Sequence, residues 1–156
     1  MVHIEGEIVI NRPVDEVFDF VADETNEPRY NPSMLRSDQT STGPIGLGTT
    51  FRAESKMMGR TVETVIECTG YDPPRLLASR SRSSFGPIPA TEIQGTLTFE
   101  PVPRGTRMRW AWRITPPGLL KLLTPIVTRM GKRQEETIWT NLKHLLEEQS
   151  VSSPPT

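Results

Sequence analysis

The stretch from Gly118 to Glu148, GLLKLLTPIVTRMGKRQEETIWTNLKHLLEE, is the longest helix-compatible run in the sequence and limits what the rest can be. It holds two apolar blocks. The first is Leu119, Leu122, Leu123, Ile126, Val127 and Met130, and the second is Ile138, Trp139, Leu142, Leu145 and Leu146. Spacings of three and four put each block on one face of a helix. Between them, Gly131 to Thr137 is polar, with Lys132, Arg133, Gln134, Glu135 and Glu136. Pro125 removes a backbone donor, so a kink or a restart is expected there. A helix this long requires a broad apolar surface to lie on, and nearly everything upstream reads as strand.

Residues 2–10 alternate, with Val2, Ile4, Gly6, Ile8 and Ile10 on one face and His3, Glu5, Glu7 and Val9 on the other. That is a half-buried strand. Pro13 then fits a first helical position, with Asp15 and Glu16 suited to a helix N-terminus. Val14, Val17, Phe18 and Val21 form its stripe, and the helix should end near Ala22. The run DETNEPRYNP (23–32) contains two prolines and supports only a short helical turn. From Met34 the texture is β. A strand near 34–41 is followed by the loop GPIGLG, by TTFRAESKMM, and, after Met58-Gly59, by RTVETVIECTGY. Pro73-Pro74 turns the chain into RLLASRSRS, whose inward parity the pattern does not fix, and SFGPIPA reads as a loop.

The last two strands, TEIQGTLTFE and TRMRWAWRI, can be registered by requiring apolar to face apolar. Phe99 then pairs with Met108, Leu97 with Trp110, Gly95 with Trp112 and Ile93 with Ile114. The other face gains Glu100 opposite Arg107 and Gln94 opposite Arg113. The tight turns imply an antiparallel sheet with one solvated face and one covered face. The C-terminal helix is the element long enough to cover it.

Composition excludes several function classes. The 156 residues suit one domain, and 18 basic against 19 acidic side chains (net −1) give no field favouring nucleic acid or an anionic membrane. Cys68 is the single cysteine, so no internal disulfide forms and a reducing, cytoplasmic setting is expected. MVHIEGEIVI lacks a basic leader and reads as a strand, and LLKLLTPIV is too short and too interrupted to span a bilayer. The glycines of GPIGLG lack the Lys-Ser/Thr of a phosphate loop and join two strands. His3 and His144 have no ligand-spaced partners, so no metal, nucleotide or redox cofactor is expected. Cys68, on an inward strand position, reads as a small buried hydrophobe. Arg80, Arg82, Arg107, Arg109 and Arg113 read as a solvated sheet face without the aromatic interleaving that single-strand binding needs.

The order strand, two short helices, about six more antiparallel strands and one long terminal helix resembles the helix-grip fold. Val9-Ile10-Asn11-Arg12-Pro13-Val14-Asp15-Glu16-Val17-Phe18 looks like the opening of the START-like (SRPBCC) superfamily, which includes polyketide cyclase/dehydrase-like and lipid-transport proteins. Tyr71-Asp72-Pro73-Pro74-Arg75-Leu76 resembles its strand-turn-strand signature. Phe99-Glu100-Pro101 with Gly105-Thr106-Arg107-Met108 resembles its last hairpin, and Leu142-Lys143-His144-Leu145-Leu146-Glu147 its closing helix. The resemblance implies an α+β fold: a curved antiparallel sheet of about seven strands wrapped around the long helix, as a single domain over 1–149. Residues 150–156 are expected to form a disordered tail. It also implies a cavity between sheet and helix that holds a hydrophobic molecule.

The residues agree with such a cavity. The inward positions Ala53, Ser55, Met57, Thr64 and Gly95 are small or flexible, and the chain has five Phe in all. The candidate lining follows the inward parity. From the strands it takes Phe51, Ala53, Ser55, Met57, Val62, Thr64, Ile66, Ile93, Gly95, Leu97, Trp110 and Trp112. From the short helices it takes Val17, Phe20 and Tyr30, and from the long helix Met130, Gln134, Thr137 and Ile138. Arg133, Gln134 and Thr137 follow Met130 at helical spacing, so one or two would orient a ligand's polar group; the alternative is that all face water. The expected function is binding of a small hydrophobic, lipid- or polyketide-like molecule by a monomer or homodimer. One alternative is a cyclase/dehydratase, which requires a positioned acid or base. The predicted inner face of the sheet has no Asp, Glu, His or Lys, so that chemistry would rest on loop residues or on Tyr30, Arg133 and Glu135. A co-chaperone-like interaction module is the other alternative, favoured by an exposed apolar patch.

Overall fold

The computed structural model describes residues 2–57, 59–85, 88–115 and 124–152. Seven strands are present: β1 (Val2–Ile10), β2 (Met34–Gln39), β3 (Thr50–Met57), β4 (Arg60–Asp72), β5 (Leu76–Phe85), β6 (Ile88–Val102) and β7 (Gly105–Thr115). Between β1 and β2 lie α1 (Val14–Ala22) and a 3-10 helix (Glu24–Arg29), and α2 (Thr124–Ser152) closes the chain. The strands form one curved antiparallel sheet in the order β1-β7-β6-β5-β4-β3-β2. This is the helix-grip architecture.

The register of the last hairpin is the one apolar matching requires, with Phe99 opposite Met108, Leu97 opposite Trp110, Gly95 opposite Trp112 and Ile93 opposite Ile114. β1 extends the same face across the chain's ends, pairing Ile4 with Trp112, Gly6 with Trp110 and Ile8 with Met108. On the solvated face the arginines find acidic neighbours: Arg109 with Glu7 at 2.9 Å, Arg80 with Glu67 and Arg82 with Glu92 at 3.2 Å, and Arg107 with Glu100 at 3.5 Å. Each such exposed pair adds at most about 1 kcal/mol. The fifth strand resolves its parity through its neighbours. Ser79, Ser81 and Ser83 pair with Cys68, Ile66 and Thr64, and so share their inward face. SFGPIPA is a shorter connection than its sequence suggests, since β5 runs to Phe85 and Phe85 pairs with Ile88. Aromatic and β-branched residues at those positions favour extended chain.

Two apolar clusters form the core, and the larger one holds the sheet to the helices. The larger joins α1 (Val17, Phe18, Val21) and α2 (Ile138, Trp139, Leu142, Leu146) to Leu97, Phe99, Met108 and Trp110 of β6 and β7. The smaller is Phe51, Ala53 and Ile66 on β3 and β4. Specific bonds fix how α2 lies. Lys143 Nζ donates to the Val9 carbonyl at 2.8 Å, the Asn11 N–H donates to Glu147 Oε1 at 2.9 Å, and Asn141 Nδ2 donates to the Tyr30 carbonyl at 3.1 Å. Pro125 lies in the first described turn of α2, and α2 continues through Ser152, into the stretch expected to be a tail. The upstream part of the apolar run, 116–123, and residues 153–156 lie outside the described residues.

Candidate functional site: a cavity lined by carboxyl groups

A cavity of ≈ 90 Å³ lies where the two apolar clusters meet, under α2. Its apolar walls are Val21 and Ala22 at the end of α1, Phe51, Ile66, Leu77, Leu97 and Trp112 from the sheet, and Ile138 and Trp139 from α2. Its polar groups come almost wholly from the helices. Glu24 and Glu27 project from the 3-10 helix, Tyr30 follows it, and Glu135 comes from α2; Cys68 and Ser79 are the sheet's contribution.

The carboxyl groups are held and perturbed in different ways. Glu135 Oε2 accepts from Trp112 Nε1 at 2.9 Å and from Trp139 Nε1 at 2.8 Å. Burial nevertheless dominates over these two donors and raises its pKa. Glu27 is oriented by Asn31, whose Nδ2 donates to Oε1 at 3.0 Å and which is itself buried. Glu24, half-buried, sits well above the usual carboxylate range, first through desolvation and then because it shares charge and a hydrogen bond with Glu27. Tyr30 is 3% exposed, and its hydroxyl, which has no hydrogen-bond partner among the described residues, opens on the cavity. Burial and the nearby Glu27, Glu24 and Glu135 raise its pKa well above the ordinary phenol value. Burial likewise pushes the Cys68 thiol up, which disfavours the thiolate.

The indole of Trp112 reaches Glu135 because of what lies beneath it. A Cβ on Gly95 would overlap Cε3 of Trp112, so a side chain there excludes the ring. Gly6 does the same for Trp110, where a Cβ would overlap Cζ2. Trp110 then packs on Trp139, ring centroids 5.9 Å apart, and Trp139 on Tyr30 at 6.0 Å. Two glycines on the sheet thus make space for the aromatic shelf that carries the carboxyl.

A family described as polyketide cyclase / dehydrase and lipid transport matches residues 1–147. The chain belongs to this family. Members of the polyketide cyclase/dehydrase and lipid-transport family have START-like folds, and membership supports a ligand-binding or cyclase-type role. No curated protein sequence matches the chain. Among solved structures, TTHA0849 from Thermus thermophilus is 22% identical with a TM-score of 0.70, covering 97% of this chain and 99% of that one. The di-domain ARO/CYC BexL from the BE-7585A biosynthetic pathway is 23% identical with a TM-score of 0.74, covering 94% of this chain and 47% of that one. Ara h 8.0201 is 15% identical with a TM-score of 0.71, over 94% of this chain and 97% of that one. Identities this low speak to the fold.

Of the lining taken from the sequence, Tyr30, Phe51, Ile66, Leu97, Trp112 and Ile138 border the cavity. Val17, Ala53, Val62 and Trp110 are buried in packed core instead. Phe20 stacks near Tyr30, ring centroids 6.1 Å apart, with the Arg29 guanidinium 5.3 Å over its outer side. Ser55, Thr64, Ile93 and Gly95 are half-buried on the sheet and off the cavity wall. Met57 (51% exposed) and Met130 (67%) face solvent. Gln134 and Thr137 are exposed too and border a shallow groove with Asn31, Pro32 and Ser33. The reason is the rotation of α2. Burying Trp139, Leu142 and Leu146 turns Glu135 inward and leaves Gln134 and Thr137 on the adjoining strip. The sequence reading missed Glu24 and Glu27 as lining residues, and no metal-ligating group of three or more His, Cys, Asp or Glu exists among the described residues.

Proposed function

We propose that the chain binds a small, mainly apolar molecule in the cavity between the sheet and α2, with a polar group of the guest directed to Glu24, Tyr30 and Glu135. The observation that carries this reading is a partly open, chiefly apolar space lined by buried Tyr30, whose hydroxyl has no hydrogen-bond partner among the described residues. Size bounds the guest. An engineered apolar cavity of ~150 Å³ takes up benzene, so ≈ 90 Å³ suits a short chain, and a single ring fits where the walls give slightly or part of it lies in the opening. A larger lipid- or polyketide-like guest requires Trp112 or α2 to move. Trp112 and Trp139 serve as built-in reporters: titration with benzyl alcohol is expected to give a saturable change in tryptophan fluorescence. Absence of saturation up to the solubility limit would overturn the proposal.

A second reading, acid–base catalysis of the cyclase/dehydratase type, is favoured by one observation. The sheet supplies no acid to the cavity, but the 3-10 helix supplies the Glu24–Glu27 pair, and desolvation with the neighbouring Glu27 raises the Glu24 pKa, which favours its neutral form. A neutral carboxyl in an apolar site is poised as a general acid. On this reading Glu24→Gln cuts turnover of a bound substrate by roughly 10²–10⁴ with binding kept. Equal losses of turnover and binding would leave the binding reading alone.

A further inference from the structure

The charge inventory of the cavity is one-sided. Glu24, Glu27 and Glu135 line it, Asp23 lies close enough to act on Glu24 and Tyr30, and no Lys, Arg or His lines it among the described residues. Arg29, two positions from Glu27, is engaged over the Phe20 ring at 5.3 Å, and Arg133, two positions from Glu135, is exposed and does not line the cavity. An ionised carboxylate in a low-dielectric pocket requires a proton or a positive partner. Glu135 obtains partial compensation from two indole N–H groups, which orient it without neutralising it. Aromatic faces surround the same space: Phe51, Tyr30, Trp112 and Trp139. A ring of this kind attracts cations electrostatically, most strongly when desolvated. Because the carboxyl groups do not converge at metal-ligand spacing, a bare metal ion does not satisfy them. An ammonium carried on a small hydrocarbon does, with the hydrocarbon filling the apolar part.

We propose that the guest of this cavity is a small hydrophobic amine, bound as its ammonium between the Glu24–Glu27 pair and Glu135, with the Tyr30 hydroxyl as a further acceptor. This rests on the binding reading above and adds the chemical class. A proton is the alternative neutralising partner to the ammonium, which is the sense in which desolvation raises Glu24 and Glu135. Binding an amine therefore displaces protons, and acid competes with it. The titratable groups facing the guest are Glu24, Glu27 and Tyr30 with Asp23 behind them, Cys68 from β4, and Glu135 from α2.

The test is a series of one shape and three charges: benzylamine, benzyl alcohol and benzoate, titrated calorimetrically and by tryptophan fluorescence. At neutral pH benzylamine is expected to bind at least about tenfold more tightly than benzyl alcohol, with benzoate showing no saturable binding. The preference should shrink as the pH is lowered and protons reclaim the carboxylates. Proton release should appear as a dependence of the binding enthalpy on the buffer's ionisation heat. Glu24→Gln and Glu135→Gln should each reduce the amine preference by at least about threefold, while Glu5→Gln on the solvated face leaves it unchanged. Benzyl alcohol binding as tightly as the amine at every pH would overturn the amine proposal and leave the binding reading standing. So would an amine preference that survives both substitutions. Saturation by neither compound would overturn both.

Discussion

On β1, β6 and β7 the inward positions include Ile4, Ile10, Leu97, Phe99, Met108 and Trp110, all buried. On β3, β4 and β5 the corresponding face carries Ser55, Thr64, Ser79, Ser81 and Ser83, none fully buried, with Phe51, Ala53 and Ile66 as its small apolar cluster. One helix covers a sheet whose two halves are filled differently. On the first half, side chains from α1 and α2 meet those of the sheet, and Phe18 packs edge-on to Phe99 at 5.2 Å. On the second half, many inward side chains are short and hydroxylic, and Thr64 and Ser83 hydrogen-bond to one another at 2.8 Å. The cavity is what remains at the seam. The volume of the inward residues, rather than the fold, decides where a sheet of this kind closes on its helix.

The comparison breaks most readily at two phenylalanines of equal burial. Phe18 (0% exposed) is surrounded by packed side chains, and Phe18→Ala is expected to cost about 3–5 kcal/mol in denaturant unfolding. Phe51 (1% exposed) has the cavity on one side, so that part of its ring has no partner atoms to lose. Phe51→Ala should cost clearly less. Equal costs would show that the two halves are packed alike.

Much of the packed half was legible in the sequence because two faces constrained it at once. A one-residue slip in the β6–β7 hairpin would have exposed Trp110 and Trp112 together with Leu97 and Phe99, so apolar matching left a single register, and it is the observed one. The open half offered no such leverage. In RLLASRSRS both Leu76 and Leu77 are apolar, both faces of the remainder are polar, and a register shift between Cys68 and Gly70 intervenes. The acids of the site were hidden for another reason. DETNEPRYNP has the composition of a solvated connection, and only the third dimension lays Glu24 and Glu27 against the cavity. For Glu135 a signal did exist. It lies three positions before Ile138 and four before Trp139, so the buried stripe of the second apolar block, continued backward, arrives at it rather than at Gln134.

At the seam, Gly95→Leu sharpens the comparison with a smaller effect. The new side chain must displace the Trp112 ring, which occupies the space its Cβ would enter. Overpacking of this kind costs about 1–3 kcal/mol. Displacing the ring also removes one of the two indole donors from Glu135, so guest binding should fall along with stability. Unchanged stability and unchanged benzyl alcohol affinity would show that Trp112 is not fixed by Gly95.

The smallest expected effect is the most discriminating, because its sign differs between the halves. Ser79 lines the cavity, is half-buried, and its hydroxyl has no hydrogen-bond partner among the described residues. Ser79→Val suits the strand conformation and fills empty space with methyl groups, so it should stabilise the protein by about 0.5–2 kcal/mol. Val17, 0% exposed in the packed half, offers the matched enlargement: Val17→Ile adds one methylene where no space is left and should cost about 1–3 kcal/mol. The same increase in side-chain volume then stabilises on one side of the seam and destabilises on the other. Binding supplies the independent readout, since Ser79→Val takes space from a benzyl alcohol guest and weakens it several-fold, whereas Val17→Ile leaves the cavity wall untouched. Destabilisation by both enlargements, with affinity unaffected by either, would mean that α2 seals the second half as tightly as the first and that the seam holds no guest.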